Sequence, residues 1–131
     1  MGKDFRRAAV ERWLVKAGND LKTAQTMLET DPPITDAVCF HAQQCAEKSF
    51  KAFLTFRDVH VEKTHYLPRL LELCRDTDST FDDLRESAIS LTDYAVEIRY
   101  PDDWRDIPVD EAAKAVQNAE KIMASIQRKL S

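Results

Sequence analysis

Apolar residues recur along this chain at the three-and-four spacing of an α-helix. Between about residues 5 and 29 they fall at Val10, Leu14, Ala17, Leu21, Ala24 and Leu28, in alternating steps of four and three. That spacing keeps these side chains on one helical face and predicts a packing seam. Gly18 lies inside the segment, where glycine costs about 1 kcal/mol relative to alanine. Asp31-Pro32-Pro33 ends it, since proline removes a donor and fixes its own φ.

A second helix is predicted from about 34 to 57. Its seam is Val38, Ala42, Cys45, Ser49, Ala52 and Phe56. Another stripe, Phe40, Gln43, Glu47, Phe50 and Leu54, lies nearly opposite at about 100° per residue. His41, Gln44, Lys48 and Lys51 fill the polar wedge between them. A helix apolar on two sides must be covered on two sides. The extra stripe therefore calls for a partner chain or for the short helix that follows. A homodimer through Phe40, Phe50 and Leu54 is the first of these expectations.

After a connector over 59–63, Thr64 is placed to cap a short third helix with Pro68 in its first turn, ending near Arg75. Ser79 and Asp82 resemble a capping box opening a fourth helix along Leu84, Ala88, Leu91, Ala95 and Ile98. Pro101 stops it, and a polar loop runs to Pro108. A fifth helix starts near Val109 and carries Ala112, Val116, Ala119, Met123, Ile126 and Leu130. The expected fold is all-α: an up-and-down antiparallel bundle of four long helices and one short one, with residues 1–131 forming one domain.

Composition narrows the chemistry. With 44% hydrophobic residues the chain is too apolar for disorder, and no apolar run reaches the ~20 residues of a membrane span. Two glycines cannot supply a phosphate-cradling glycine loop or the turns of a β-barrel. A net charge of −4 gives no overall steering toward nucleic acid, so any such contact needs a local basic patch. The three cysteines are an odd number, and Cys39 and Cys45 sit in an apolar helix, which indicates a reducing, cytoplasmic setting. No signal peptide is read at the start, and Arg6 breaks the myristoylation pattern that Gly2 opens.

No metal or cofactor is expected. Cys39 and Cys45 have the wrong spacing for a zinc pair, and Glu62-x-x-His65 occurs once, at a loop–helix junction. No Gly-x-Ser-x-Gly motif is present. Two segments carry candidate chemistry. In residues 40–52, Gln43, Glu47 and Lys51 form either a buried polar network, with Glu47 and Lys51 paired at i,i+4, or the wall of a nucleotide or RNA cleft. At the end of the fourth helix, Arg99-Tyr100-Pro101-Asp102 presents either a charge that favours the helix dipole or a guanidinium fork that grips phosphate. Trp13, Tyr94 and Trp104 read as packing aromatics.

These pieces resemble the HEPN domain (higher eukaryotes and prokaryotes nucleotide-binding). The resemblance rests on Trp13-Leu14-x-Lys16-Ala17-x-x-Asp20-Leu21-x-x-Ala24 and Cys39-Phe40-His41-Ala42-Gln43-Gln44-Cys45-Ala46-Glu47-Lys48-x-x-Lys51-Ala52. It continues in Thr64-His65-x-Leu67 and Arg99-Tyr100-Pro101-Asp102, in family order and over nearly the whole chain. It implies a helical bundle, usually dimeric, often paired with a minimal nucleotidyltransferase as a toxin–antitoxin module. Many HEPN toxins are metal-independent ribonucleases with an arginine followed, four to six residues later, by histidine. Here Trp104, Arg105 and Asp106 stand where that histidine would fall, and no histidine follows His65. Whether the chain is an enzyme therefore stays open. Arg99 and His41 are the candidate catalytic residues, with Asp102 a candidate proton acceptor beside Arg99. Arg99, Tyr100, Asp102, Lys48 and Lys51 are the candidate contacts to nucleotide or RNA. The alternative is a non-catalytic helical dimer that serves a nucleotidyltransferase as interaction partner.

Overall fold

The computed structural model describes residues 2–96 and 105–130. It is all-helical among these residues and forms the bundle that the spacing predicts. Helix α1 runs Lys3–Leu28, α2 Thr35–Phe56, α3 Leu67–Arg75, α4 Arg85–Leu91 and α5 Val109–Lys129. Helix α2 is the centre. It packs against α1, α5, α3 and α4, and its buried side chains point in every direction. Ala17 and Ala24 of α1, Val38, Ala42 and Cys45 of α2, and Ala119, Ile122 and Ile126 of α5 meet in one apolar cluster. Small residues on α1 and α2 let those two helices approach closely, which α5 then covers.

The second stripe of α2 is covered within the chain. Phe50 and Leu54 are fully buried, and Phe40 is half-buried. Phe81 packs on Phe53 and Phe50, with ring centroids 4.6 and 6.2 Å apart. Leu67, Leu70, Leu71 and Cys74 of α3 complete the cover. The stripe accordingly gives no reason for a dimer, because α3 and the turn after it already shield it from water.

The fourth helical stretch differs from its predicted form. It comprises a 3-10 helix over Ser79–Leu84, then α4, then a 3-10 turn over Thr92–Tyr94. Its cap also differs. Asp78, not Ser79, accepts from the backbone N–H of Thr80 at 3.0 Å. The tighter 3-10 turns bring Phe81 inward over the α2 aromatics, so packing overrides the α spacing. At α3 the first-turn proline stands as expected. Thr64 lies upstream of the helix and accepts from the Tyr66 N–H at 3.1 Å. Helix α2 ends with Asp58 at φ 58° and the Val59 N–H bonded to the Leu54 carbonyl at 2.9 Å. A short polar side chain tolerates this left-handed stop, which turns the chain into the connector.

Candidate functional site

Two carboxylates organise the polar side of α2. The first is Asp20 of α1, itself nearly buried. It meets His41 Nδ1 at 2.9 Å and Lys48 Nζ at 2.5 Å. The His41 and Lys48 side chains remain 26% and 23% exposed, so both reach solvent at the α1–α2 seam. An ionised carboxylate only accepts, so Nδ1 of His41 carries the proton and its other nitrogen is left open.

The second carboxylate is Glu47, on the next face of α2 and almost wholly buried. Lys51 Nζ donates to it at 2.9 Å and His65 Nδ1 lies 2.7 Å from its other oxygen. Gln44 donates to Gln43 Oε1 at 2.7 Å and to Glu47 at 3.4 Å. Gln43 in turn donates to the His65 backbone carbonyl at 3.0 Å. Gln43, Glu47 and Lys51 thus form an occluded, connected network. No buried side-chain nitrogen or oxygen among the described residues lacks a partner. The Lys51 ammonium also lies 5.7 Å from the Trp13 ring centroid, a cation–π arrangement.

These placements sort the residues singled out from sequence. His41 and Lys48 share Asp20 at a partly open surface. Lys51 is 6% exposed and committed to Glu47, so its ammonium is not presented to a ligand. Arg99, Tyr100 and Asp102 lie outside the described residues. Sequence reasoning passes over two participants, Asp20 and His65. Both stand inside the family-like blocks, which is the one signal that points to them.

A third cluster brackets residues 97–104. Glu111, in the first turn of α5, accepts both nitrogens of the Arg105 fork, at 3.0 and 2.6 Å, and the Tyr94 hydroxyl. The Arg105 and Tyr94 hydrogen bonds hold the Glu111 carboxyl below its usual range. Burial, and then the bond to Glu111, push the Tyr94 phenol up. Beside them is an open cleft of about 400 Å³ lined by Ser90, Asp110, Lys114 and Asn118. Burial likewise pushes the Cys39 thiol up to about 11 and the Cys45 thiol up to about 12; Cys39, Cys45 and Cys74 are all unpaired and buried. Among the described residues no group of three or more His, Cys, Asp or Glu side chains could hold a metal ion. No helix there is long and apolar enough to cross a membrane.

Comparison with known proteins follows the same outline. The family profile of the HEPN domain matches residues 10–129. The crystal structure of TT1696 from Thermus thermophilus is 31% identical, with a TM-score of 0.73 over 92% of this chain and 97% of that one. The crystal structure of ST0689, described as an archaeal HEPN homologue, is 23% identical, with a TM-score of 0.72 over 93% of this chain and 98% of that one. Among curated proteins, none matches.

Proposed function

This chain belongs to the HEPN domain family, and from that premise we propose that it binds RNA or nucleotide as the toxin-like component of a module with a minimal nucleotidyltransferase. The observation that carries the binding half is the Asp20 cluster. One nearly buried carboxylate holds a lysine and a histidine side by side at a partly open seam. An entering phosphate would meet the Lys48 charge, and the open His41 nitrogen, an acceptor in this tautomer, would face a ligand hydroxyl. Arg99, with Tyr100 and Asp102, supplies the second set of contacts in this proposal, through a planar fork suited to phosphate oxygens. Lys51 acts from behind, donating to Glu47 and holding it in place. The module and its partner rest on the family resemblance, as does the expectation of a homodimer.

The test is fluorescence anisotropy with a labelled single-stranded RNA and with a labelled nucleoside triphosphate. Wild type should bind one of them in a salt-dependent manner. Arg99→Ala and His41→Ala should each weaken binding by about tenfold while keeping wild-type helicity. Equal binding by folded Arg99→Ala would remove Arg99 from the site. Absence of binding by wild type would favour the second reading, a non-catalytic interaction partner of the transferase. That reading has its own support: no histidine follows Arg99.

A further inference from the structure

Helix α1 starts before its cover does. None of residues 3–9 is buried, and the first buried side chain is Val10. No side-chain bond caps the helix at Gly2. A helix in water draws most of its stability from packing one amphipathic face, yet the first two turns of α1 bury no side chain. Their pattern is amphipathic all the same. Lys3, Arg6, Arg7, Val10 and Leu14 follow the three-and-four spacing of a single helical face.

Across from this face α2 ends at Phe56, and α5 ends at Lys129 with Leu130 as its cap. The three helix ends leave an open groove of about 380 Å³. Its apolar lining is Val10, Leu14, Phe56 and Leu130. Phe56 is 38% exposed, although its spacing places it on the α2 seam. The charged lining is Lys3, Arg6, Arg7 and one acid, Glu11. None of the three cations forms an ion pair among the described residues. The first twelve residues hold four cations and two acids, in a chain whose net charge is −4. Positive charge is therefore concentrated here, around apolar side chains.

Unpaired cations around an apolar groove complement a segment that carries acids beside its apolar residues. The groove follows α1 from Lys3 to Leu14, which at 1.5 Å per residue is about 16 Å, or three helical turns. Other occupants fit less well. Glu11 would repel a strand of phosphates, whereas a peptide can set a lysine against it. A second copy docking through this same face would bring arginine against arginine across a two-fold axis.

We propose that this end of the bundle is a docking groove for an acidic amphipathic helix of a partner protein. Two apolar side chains of that helix, one turn apart, seat on Val10, Leu14, Phe56 and Leu130. Acids flanking them pair with Lys3, Arg6 and Arg7, and a basic residue meets Glu11. The first turns of α1 thereby gain the packing they lack. None of the lining residues belongs to the Asp20 or Glu47 networks, and the proposal does not depend on RNA binding.

The test uses the full chain and a stapled helical peptide of about twelve residues, three turns long, with leucines at i and i+4 flanked by glutamates. A second peptide has lysine in place of every glutamate. Fluorescence anisotropy should show wild type binding the acidic peptide, more weakly as salt rises, and not the basic one. Arg6→Glu/Arg7→Glu should lose about tenfold or more in affinity for the acidic peptide and gain binding of the basic one. Phe56→Ala should weaken the acidic peptide about fivefold and leave its salt dependence unchanged. Circular dichroism should show wild-type helicity in both variants. Should Phe56→Ala lose helicity, the charge swap decides alone, since neither arginine pairs within the described residues. Amide chemical-shift changes on binding should gather at residues 3–14, Phe56 and Leu130. No binding of the acidic peptide by wild type, or equal binding by folded Arg6→Glu/Arg7→Glu, overturns the proposal. It also falls if wild type ignores the peptide while this variant loses binding to single-stranded RNA or to phosphatidylglycerol vesicles, because the groove then serves a polyanion or a lipid surface. Light scattering in which the same variant turns a dimer into a monomer gives the groove to a second copy and overturns it too.

Discussion

Removing Glu47 should unfold the protein at markedly lower denaturant, and removing Lys51 with it should restore much of the loss. The Lys51 Nζ and Glu47 Oε2 atoms are 2.9 Å apart, and both side chains are under 10% exposed. At an effective dielectric of about 20 their attraction is roughly 6 kcal/mol. Desolvation of the two ions offsets most of that, so the net worth of the pair is small. The single variant Glu47→Ala does not recover the desolvation. It leaves an ammonium buried beside Trp13 with its carboxylate gone, and also releases His65 and Gln44. Breaking a buried pair in this way costs about 3–5 kcal/mol. The double variant Glu47→Leu/Lys51→Met fills the space with apolar groups and should lie within about 2 kcal/mol of wild type. Urea unfolding followed by circular dichroism measures both through the midpoint and slope. A Glu47→Ala protein within about 1 kcal/mol of wild type, on the same scale of cost, would refute the reasoning. So would a double variant as unstable as the single one, because the loss would then not come from the stranded ammonium.

Three further outcomes are expected. Gly18→Ala should stabilise α1 by up to about 1 kcal/mol, because the added methyl would meet only Met123 Cε at 3.6 Å, an ordinary contact; thermal melting checks this. Glu111→Gln should destabilise at neutral pH and become harmless in acid. The Glu111 carboxyl lies below its ordinary value of 4.5 in the folded state, so its contribution is full above that value and is lost as pH falls through the lower folded one; parallel urea titrations across this range would show the two curves converging. Cys39, Cys45 and Cys74, all buried and unpaired, should react slowly with a thiol reagent in the native protein and fully in denaturant; a fast native phase would contradict their burial.

The long helices are legible in the sequence because burial in a bundle is periodic. Val10, Ala17 and Ala24 on α1, and Ala112, Ala119 and Ile126 on α5, are buried as their spacing requires. The Glu47–Lys51 pair is legible for the same reason, since residues four apart meet on a helix. The fourth stretch departs from its spacing because Leu84, Ala88, Leu91 and Ala95 carry a helical period that says nothing of Phe81. That ring is pulled between Phe50 and Phe53, and the backbone tightens to deliver it. The role of His65 is hidden for a related reason. Its partner is 18 positions away, across a left-handed stop and a connector, and no local period encodes such a pairing. Asp20 reads only as a polar residue next to a seam, until α2 sets His41 and Lys48 against it.

The central position of α2 bears on how the molecule opens. A helix touched by α1, α3, α4 and α5 cannot be peeled off while the others stay assembled. Its backbone amides should therefore exchange with deuterated solvent only through complete unfolding, and so report the full stability of the chain. The outer turns, over Ser79–Leu84 and Thr92–Tyr94, can open locally and exchange earlier. Because His41 itself and the residues that hold His65 lie along α2, both imidazoles should keep their anchorage to that helix until the last cooperative unit gives way.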